Sequence, residues 1–145
     1  MGLGNVLLKD DGVGVHAVRE LQRVLPRGVR AVDVGTAVLD ALHLFEWADR
    51  VLAIDAVDSG GPPGTLYTFG VEDVDDPGLQ MSVHQMNLLA VPQFLRHRRP
   101  KVTILGVQPQ AIDYGMELSP MLRTQLPRLV QTAKGIIDSW MLGSQ

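Results

Sequence analysis

The fold is decided by the stretch VLAIDAV, Val51–Val57. Six of its seven residues are apolar, and a strand that is apolar on both faces is typical of a parallel sheet covered by helices on both sides. The exception is Asp55, which lies near the carboxyl end of the strand, where such sheets bind ligands. A buried carboxylate is costly unless it is paired or used. Asp55 is therefore a candidate functional residue.

Helical and strand patterns alternate on both sides of this stretch. Thr36 is placed to cap one helix, and Ser82 with Gln85 forms a capping box for another. The patterns predict strands at 29–34, 51–57, 65–69 and 101–107, and helices from 15 to 25, 36 to 45, Ser82 toward His97, and Ser119 to about Leu142. This alternation predicts an α/β fold, a three-layer α/β/α sandwich with a mostly parallel sheet.

One connection departs from the parallel pattern. Only seven residues separate Val57 from Thr65, whereas a parallel crossover needs a dozen or more. We therefore expect the strand at 65–69 to run antiparallel to its neighbours.

Length and composition limit the classes of protein. With 145 residues and a net charge of −3, the chain is expected to form one domain, residues 1–145, that does not bind nucleic acid, since Arg96–Arg99 is its main basic cluster. It has no cysteine, which excludes disulfides and thiolate-bound metals. No apolar run is long enough to span a membrane and no signal peptide is visible, so a cytoplasmic location is expected.

The N-terminal segment GNVLLKDDGVGV, Gly4–Val15, carries two adjacent carboxylates between glycines. Two such like charges resist ionising together unless a cation or proton relieves them. Asp10 or Asp11 could instead cap the helix that follows. Gly4-Asn5 fits the exit of a strand, so we expect most of the first strand to precede this sequence.

Asp11, Asp55 and His84 are expected to converge at the carboxyl edge of the sheet. Asp11 precedes the first helix, His84 lies in the first turn of the capped helix, and the loop 70–81 is long enough to return the chain to that edge. Two carboxylates and an imidazole suit a divalent metal such as nickel or zinc. Asp33 could cap its own turn, and His16, His43 and His97 are expected to be peripheral.

The ordered motifs of this chain resemble those of the nickel–iron hydrogenase maturation endopeptidases. Each motif alone is weak, but the ordered set is specific and spans nearly the whole chain. The motifs are Gly4-Asn5-x-Leu7-x-x-Asp10-Asp11-Gly12-x-Gly14, Asp33-x-Gly35-Thr36, Asp55-Ala56, Pro63-Gly64, His84-Gln85, Gly106-x-Gln108-Pro109 and Gly115-x-Glu117-Leu118-Ser119.

The resemblance implies an α/β/α endopeptidase that removes a C-terminal extension from a hydrogenase large-subunit precursor. It implies that Asp11, Asp55 and His84 are the catalytic and metal-contacting residues, and that the turn Asp33, Gly35, Thr36 handles substrate. The nickel would belong to the precursor, and cadmium or zinc would replace it in vitro.

Two other classes of function remain open from the residues. The same three side chains would serve a nickel carrier that cuts nothing. Gly12-Val13-Gly14 could alternatively form a phosphate- or nucleotide-binding loop, although the carboxylates of Asp10 and Asp11 would repel phosphate.

Overall fold

The computed structural model describes residues 1–74 and 79–143. The described residues form a five-stranded sheet in the order β2-β1-β3-β5-β4. The strands are β1 (Gly2–Leu3), β2 (Asp33–Gly35), β3 (Arg50–Ala56), β4 (Leu66–Gly70) and β5 (Lys101–Val107). The α-helices are α1 (Val13–Leu21), α2 (Leu42–Trp47), α3 (Val83–Ala90) and α4 (Pro120–Gly143). None of these helices is both long enough and apolar enough to cross a membrane.

The sheet is parallel except at one edge. β1 pairs in parallel with β2 and β3, and β3 pairs in parallel with β5 over its full length, from Arg50 opposite Lys101 to Ala56 opposite Val107. β4 pairs antiparallel with β5. The short connection after β3 thus led to the correct direction for β4, although β4 pairs with β5 rather than with β3.

The side chains of β3 alternate between two hydrophobic cores, one on each face of the sheet. Leu52, Ile54 and Ala56 pack with α1 and α4. Val51 and Ala53 pack on the other face with α2 and α3. This two-sided burial explains why the strand is apolar throughout and confirms the three-layer α/β/α sandwich. By the same alternation, Asp55 belongs to the face that α3 covers.

Several element boundaries differ from the sequence prediction. Within the predicted strand 29–34, pairing begins only at Asp33, because β1 offers partners at just two residues, Gly2 and Leu3. The first helix ends at Leu21 instead of Leu25. The capped helix α3 ends at Ala90, where a short 3₁₀ helix containing Pro92 follows.

The predicted cap at Thr36 is wrong. The chain first makes a 3₁₀ helix, Val38–Ala41, that begins after Ala37 and has no side-chain cap, and α2 then continues from it. By contrast, Ser82 and Gln85 form both bonds of the predicted capping box. The loop 70–81 includes residues 75–78, which lie outside the described residues.

Helix α1 lies very close to the sheet because Gly14 has no side chain. A Cβ at Gly14 would overlap the carbonyl oxygen of Ile54 in β3 and crowd that of Leu3. Gly12 likewise packs against the backbone of Val6. The glycines of this segment are therefore explained by close packing, without a bound phosphate.

We expect Gly14→Ala to lower the free energy of unfolding by about 3 kcal/mol, because the added methyl group forces α1 away from β3. Gly135→Ala is the matched control, since that glycine lies inside α4 with open space around it. The control should gain about 0.5–1 kcal/mol from higher helix propensity. Denaturant unfolding measures both values, and equal effects of the two substitutions would contradict this packing.

Candidate active site

Asp11 lies in a 3₁₀ helix, Lys9–Gly12, that joins β1 to α1. Its Oδ2 accepts a hydrogen bond of 2.8 Å from the backbone N–H of Asn5. Gly4 makes this approach possible, because it has φ of +112° and a Cβ there would overlap the carbonyl oxygen of Asp11. Gly12 is the N-cap of α1 and no side chain caps that helix, so the capping alternative for Asp10 and Asp11 is wrong.

Asp55 is almost completely buried at the carboxyl end of β3. Its Oδ1 accepts a bond of 2.8 Å from the N–H of Ala56, and its Oδ2 accepts one of 3.0 Å from Gln85 Nε2. Burial raises the pKa of this carboxyl, and the close contact with His84 and the hydrogen bond from Gln85 oppose that rise.

His84 lies between the two carboxylates. It is the second residue of α3, so the capping box fixes the start of the helix that carries it. Its Nδ1 is 2.9 Å from Asp55 Oδ2, and its Nε2 is 3.4 Å from Asp11 Oδ1. The Nδ1 contact has the distance of an ion pair but not the angle of a hydrogen bond.

The charges of the three groups are strongly linked. Burial lowers the pKa of His84, but its close contacts with the carboxylates of Asp11 and Asp55 outweigh burial and raise the pKa to about 10. For Asp11, burial raises the pKa, and the bonds from His84 and Asn5 outweigh it and lower the value. An imidazolium between two carboxylates therefore supplies, in the absence of a metal, the positive charge that the site requires.

The donor set fits a divalent cation. Asp11, Asp55 and His84 each offer one ligand atom, and these atoms lie within 4.8 Å of one another. Two carboxylate oxygens and one imidazole nitrogen suit nickel or zinc and leave coordination positions open. The predicted convergence of these three residues is thus present in the structure.

The turn Asp33, Gly35, Thr36 lies outside this group. It comprises both ends of β2 and the residue that follows the strand, and Gly35, with φ of +62°, accepts a bond at its carbonyl from Gly4 N–H. Asp33 is exposed and forms an ion pair of 3.4 Å with Arg19. The turn therefore contacts Gly4, the residue before Asn5, whose N–H bonds to Asp11.

Asp10 is a buried residue whose position the sequence did not reveal. Its carboxylate accepts bonds from the N–H groups of Gln110, Ala111 and Ser119 and from Ser119 Oγ, at 2.7 to 2.9 Å. It thereby joins the segment 110–119 to the loop that carries Asp11. The only signal was the pair Asp10-Asp11, because the partners lie about one hundred residues away.

Gln85 is the second residue with an unpredicted contact. Its role in the capping box was expected, but its amide also reaches Asp55 and the carbonyl of Ala56. The capping motif uses only the side-chain oxygen of Gln85, so the two N–H groups of the amide, which the motif leaves unused, were the available signal.

The other histidines do not join the group, among the residues described. His16 is more enclosed than expected, because its Nε2 is buried and has no hydrogen-bond partner among the described residues. A separate apolar cavity of about 240 Å³ lies near the amino end of β3, between Trp47, Arg50 and Trp140, and none of the three site residues lines it. Donor chemistry, not cavity size, therefore identifies the site.

We expect the His84 imidazole of the metal-free protein to remain protonated at pH 8. Because its folded-state pKa, about 10, exceeds the ordinary value of 6.5, its charged contacts stabilise the fold fully below pH 6.5. That contribution is lost as the pH rises through about 10. Asp55→Asn should lower the pKa of His84, which is measured from the NMR shifts of the ring nitrogens. A His84 pKa near 6.5 in the parent protein would contradict the conclusion that Asp11 and Asp55 stabilise the protonated imidazole.

Comparison with known proteins shows the family of this chain. The model of the hydrogenase maturation protease family (HycI) matches residues 15–136. The chain is 34% identical over 148 residues to the hydrogenase expression/formation protein HupD of Rhodobacter capsulatus, across 97% of this chain and 70% of that protein. It is 32% identical over 149 residues to the hydrogenase 2 maturation protease of Escherichia coli, across 96% and 90%.

Solved structures give the same answer. The hydrogenase maturating endopeptidase HybD from E. coli aligns with a TM-score of 0.82 and 28% identity, over 95% of this chain and 90% of that one. The [NiFe] hydrogenase maturation protease HybD from Thermococcus kodakarensis aligns with a TM-score of 0.75 and 28% identity, over 93% and 95%. The chain belongs to the hydrogenase maturation protease family and is an endopeptidase of hydrogenase maturation.

Proposed function

We propose that this peptidase removes a C-terminal extension from the large-subunit precursor of a nickel–iron hydrogenase after nickel has been inserted, and that it recognises the nickel that the precursor carries. The observation that carries the proposal is the group Asp11, Asp55 and His84, whose donor atoms lie within 4.8 Å of one another. The names of the relatives, which include a hydrogenase 2 maturation protease, support the class of substrate.

The three residues bind nickel as part of the substrate. Binding requires neutral imidazole, so His84 gives up its proton when nickel enters. Asp11 and Asp55 then exchange their contacts with the imidazolium for contacts with a dication. Cadmium or zinc, which accept the same ligand atoms, are expected to replace nickel in vitro.

Nickel held in this way would act as a checkpoint for cleavage. A precursor without nickel offers nothing for the two carboxylates and His84 to hold, so its scissile bond is not positioned. Positioning of reacting groups contributes several kcal/mol to catalysis, which is enough to make cleavage depend on nickel loading. Asp11, Asp55 and His84 are the catalytic residues of this proposal, because they contact the metal of the substrate.

Two exposed segments beside the site are the proposed contacts for the precursor. One is the turn Asp33, Gly35, Thr36 at the carboxyl end of β2. The other is the segment 110–119, which Asp10 anchors and which exposes Tyr114, with 87% of its surface accessible. A rigidly held loop with an exposed aromatic side chain suits protein recognition. A cytoplasmic location and no binding of nucleic acid stay predictions from the sequence.

The test measures the mass of a purified precursor, nickel-loaded or nickel-free, before and after incubation with this protein. We expect the parent protein to cut only the nickel-loaded precursor. Asp55→Asn keeps the size of the side chain but removes its charge, and should reduce cleavage at least about a hundredfold. Asp49→Asn is the matched control, because Asp49 is exposed and precedes the opposite end of the same strand.

Each other outcome has a definite meaning. Equal cleavage of the nickel-free precursor would contradict the checkpoint. Full activity of Asp55→Asn would contradict the assignment of the site. A nickel-loaded precursor that keeps its extension while nickel passes to or from this protein would favour the alternative of a nickel carrier.

A further inference from the structure

Gln85 links the end of β3 to the start of α3. Its side chain is buried, and Nε2 donates hydrogen bonds to Asp55 Oδ2, at 3.0 Å, and to the carbonyl oxygen of Ala56, at 2.6 Å. Its Oε1 accepts a bond of 3.1 Å from the N–H of Ser82, and its own N–H donates to Ser82 Oγ. One amide therefore contacts a strand, a carboxylate and a helix cap.

These contacts allow only one orientation of the amide. Nε2 faces two oxygen acceptors, and Oε1 faces an N–H donor. Rotating the amide by half a turn would put its oxygen against Asp55 and Ala56 and its NH₂ group against an N–H. Both hydrogens of the side-chain Nε2 are donated to acceptors, so the amide makes all of these hydrogen bonds in this orientation alone.

We propose that Gln85 is a positioning residue, which fixes the plane of the Asp55 carboxylate and the distance between Asp55 and His84 so that both can bind one cation together. The inference deepens the proposed function and rests on it. Gln85 does not touch the cation and acts only through Asp55.

Two parts of the geometry carry this role. Asp55 Oδ1 is held by the N–H of Ala56 and Oδ2 by Gln85, so the carboxylate has a donor on each oxygen and cannot turn freely. Gln85, which holds Asp55, is next to His84 in α3 and also closes the capping box. The separation of the two ligands is therefore set by one side chain. Removing a group that orients a metal ligand typically costs 10 to 100-fold in metal affinity.

The capping box offers a matched pair of variants. Gln85→Met keeps the volume of the side chain but removes its bonds to Asp55, Ala56 and Ser82. Ser82→Ala weakens the same helix cap but leaves the bonds from Gln85 to Asp55 and Ala56 in place. Both should lower the melting temperature of the metal-free protein, because both damage the start of α3.

Cadmium binding to the isolated protein, measured by calorimetry, separates the two roles. We expect Gln85→Met to lose affinity by about tenfold or more, and Ser82→Ala to keep the parent affinity within about twofold. Equal affinity of Gln85→Met and the parent protein would overturn the inference, and so would an equal loss in Ser82→Ala, which would assign the effect to the cap.

A second variant covers the case in which Gln85→Met does not fold. Gln85→Glu keeps an acceptor for the N–H of Ser82 and so keeps the capping box, but it replaces the donor to Asp55 by a carboxylate oxygen. We expect its cadmium affinity also to fall by about tenfold, and unchanged or higher affinity would overturn the inference. Absence of cadmium binding in the parent protein would overturn both this inference and the proposed metal site. Cadmium binding by the parent protein that the Gln85 variants do not weaken would overturn this inference but not the proposed metal site.

Discussion

Burial of the Asp55 carboxylate at the end of the central strand is the constraint on which the rest of the structure depends. Removing an ionised carboxylate from water costs several kcal/mol unless charges and donors compensate it. Here the compensation comes from three directions: the N–H of Ala56, the amide of Gln85 and the imidazole of His84. Each of these groups must be held in place, and the start of α3 holds two of them. The polar centre and the hydrophobic packing of α3 against the sheet therefore depend on each other.

The same constraint reaches the N-terminal loop through His84. The charge of an imidazolium would be neutralised by the Asp55 carboxylate alone. The N-terminal loop brings a second carboxylate, that of Asp11, to the other ring nitrogen of His84. The site then carries a net negative charge, which favours a dication. Asp11 can approach because Gly4 and Gly14 let the loop and α1 lie against β3. Asp10, the adjacent carboxylate, points to different partners and fixes the segment 110–119 beside the same loop. Two neighbouring aspartates thus have separate tasks, one in the cation site and one in its support.

The sequence was sufficient to predict the fold class and the convergence of Asp11, Asp55 and His84, because each residue lies at an element boundary that local patterns mark. The apolar stretch at 51–57, the capping box of Ser82 and the position of two aspartates before α1 each follow from short-range rules. The failures arise where structure depends on distant partners. The strand at 29–34 is paired only from Asp33, because pairing depends on its neighbour β1. Thr36 has the composition of a cap, but the chain makes a 3₁₀ turn first. The contacts of Asp10, and the second use of the Gln85 amide, join residues that local periodicity cannot connect.

The central claim is that Asp11, Asp55 and His84 bind one cation together. A structure of the isolated protein with cadmium, solved at a wavelength that gives an anomalous signal from the metal, tests it most directly. The account predicts one strong cadmium position with oxygen ligands from both aspartates and a nitrogen ligand from His84. Cadmium bound at His16 or at the exposed Asp33, with Asp11 and Asp55 still holding a protonated His84, would contradict it.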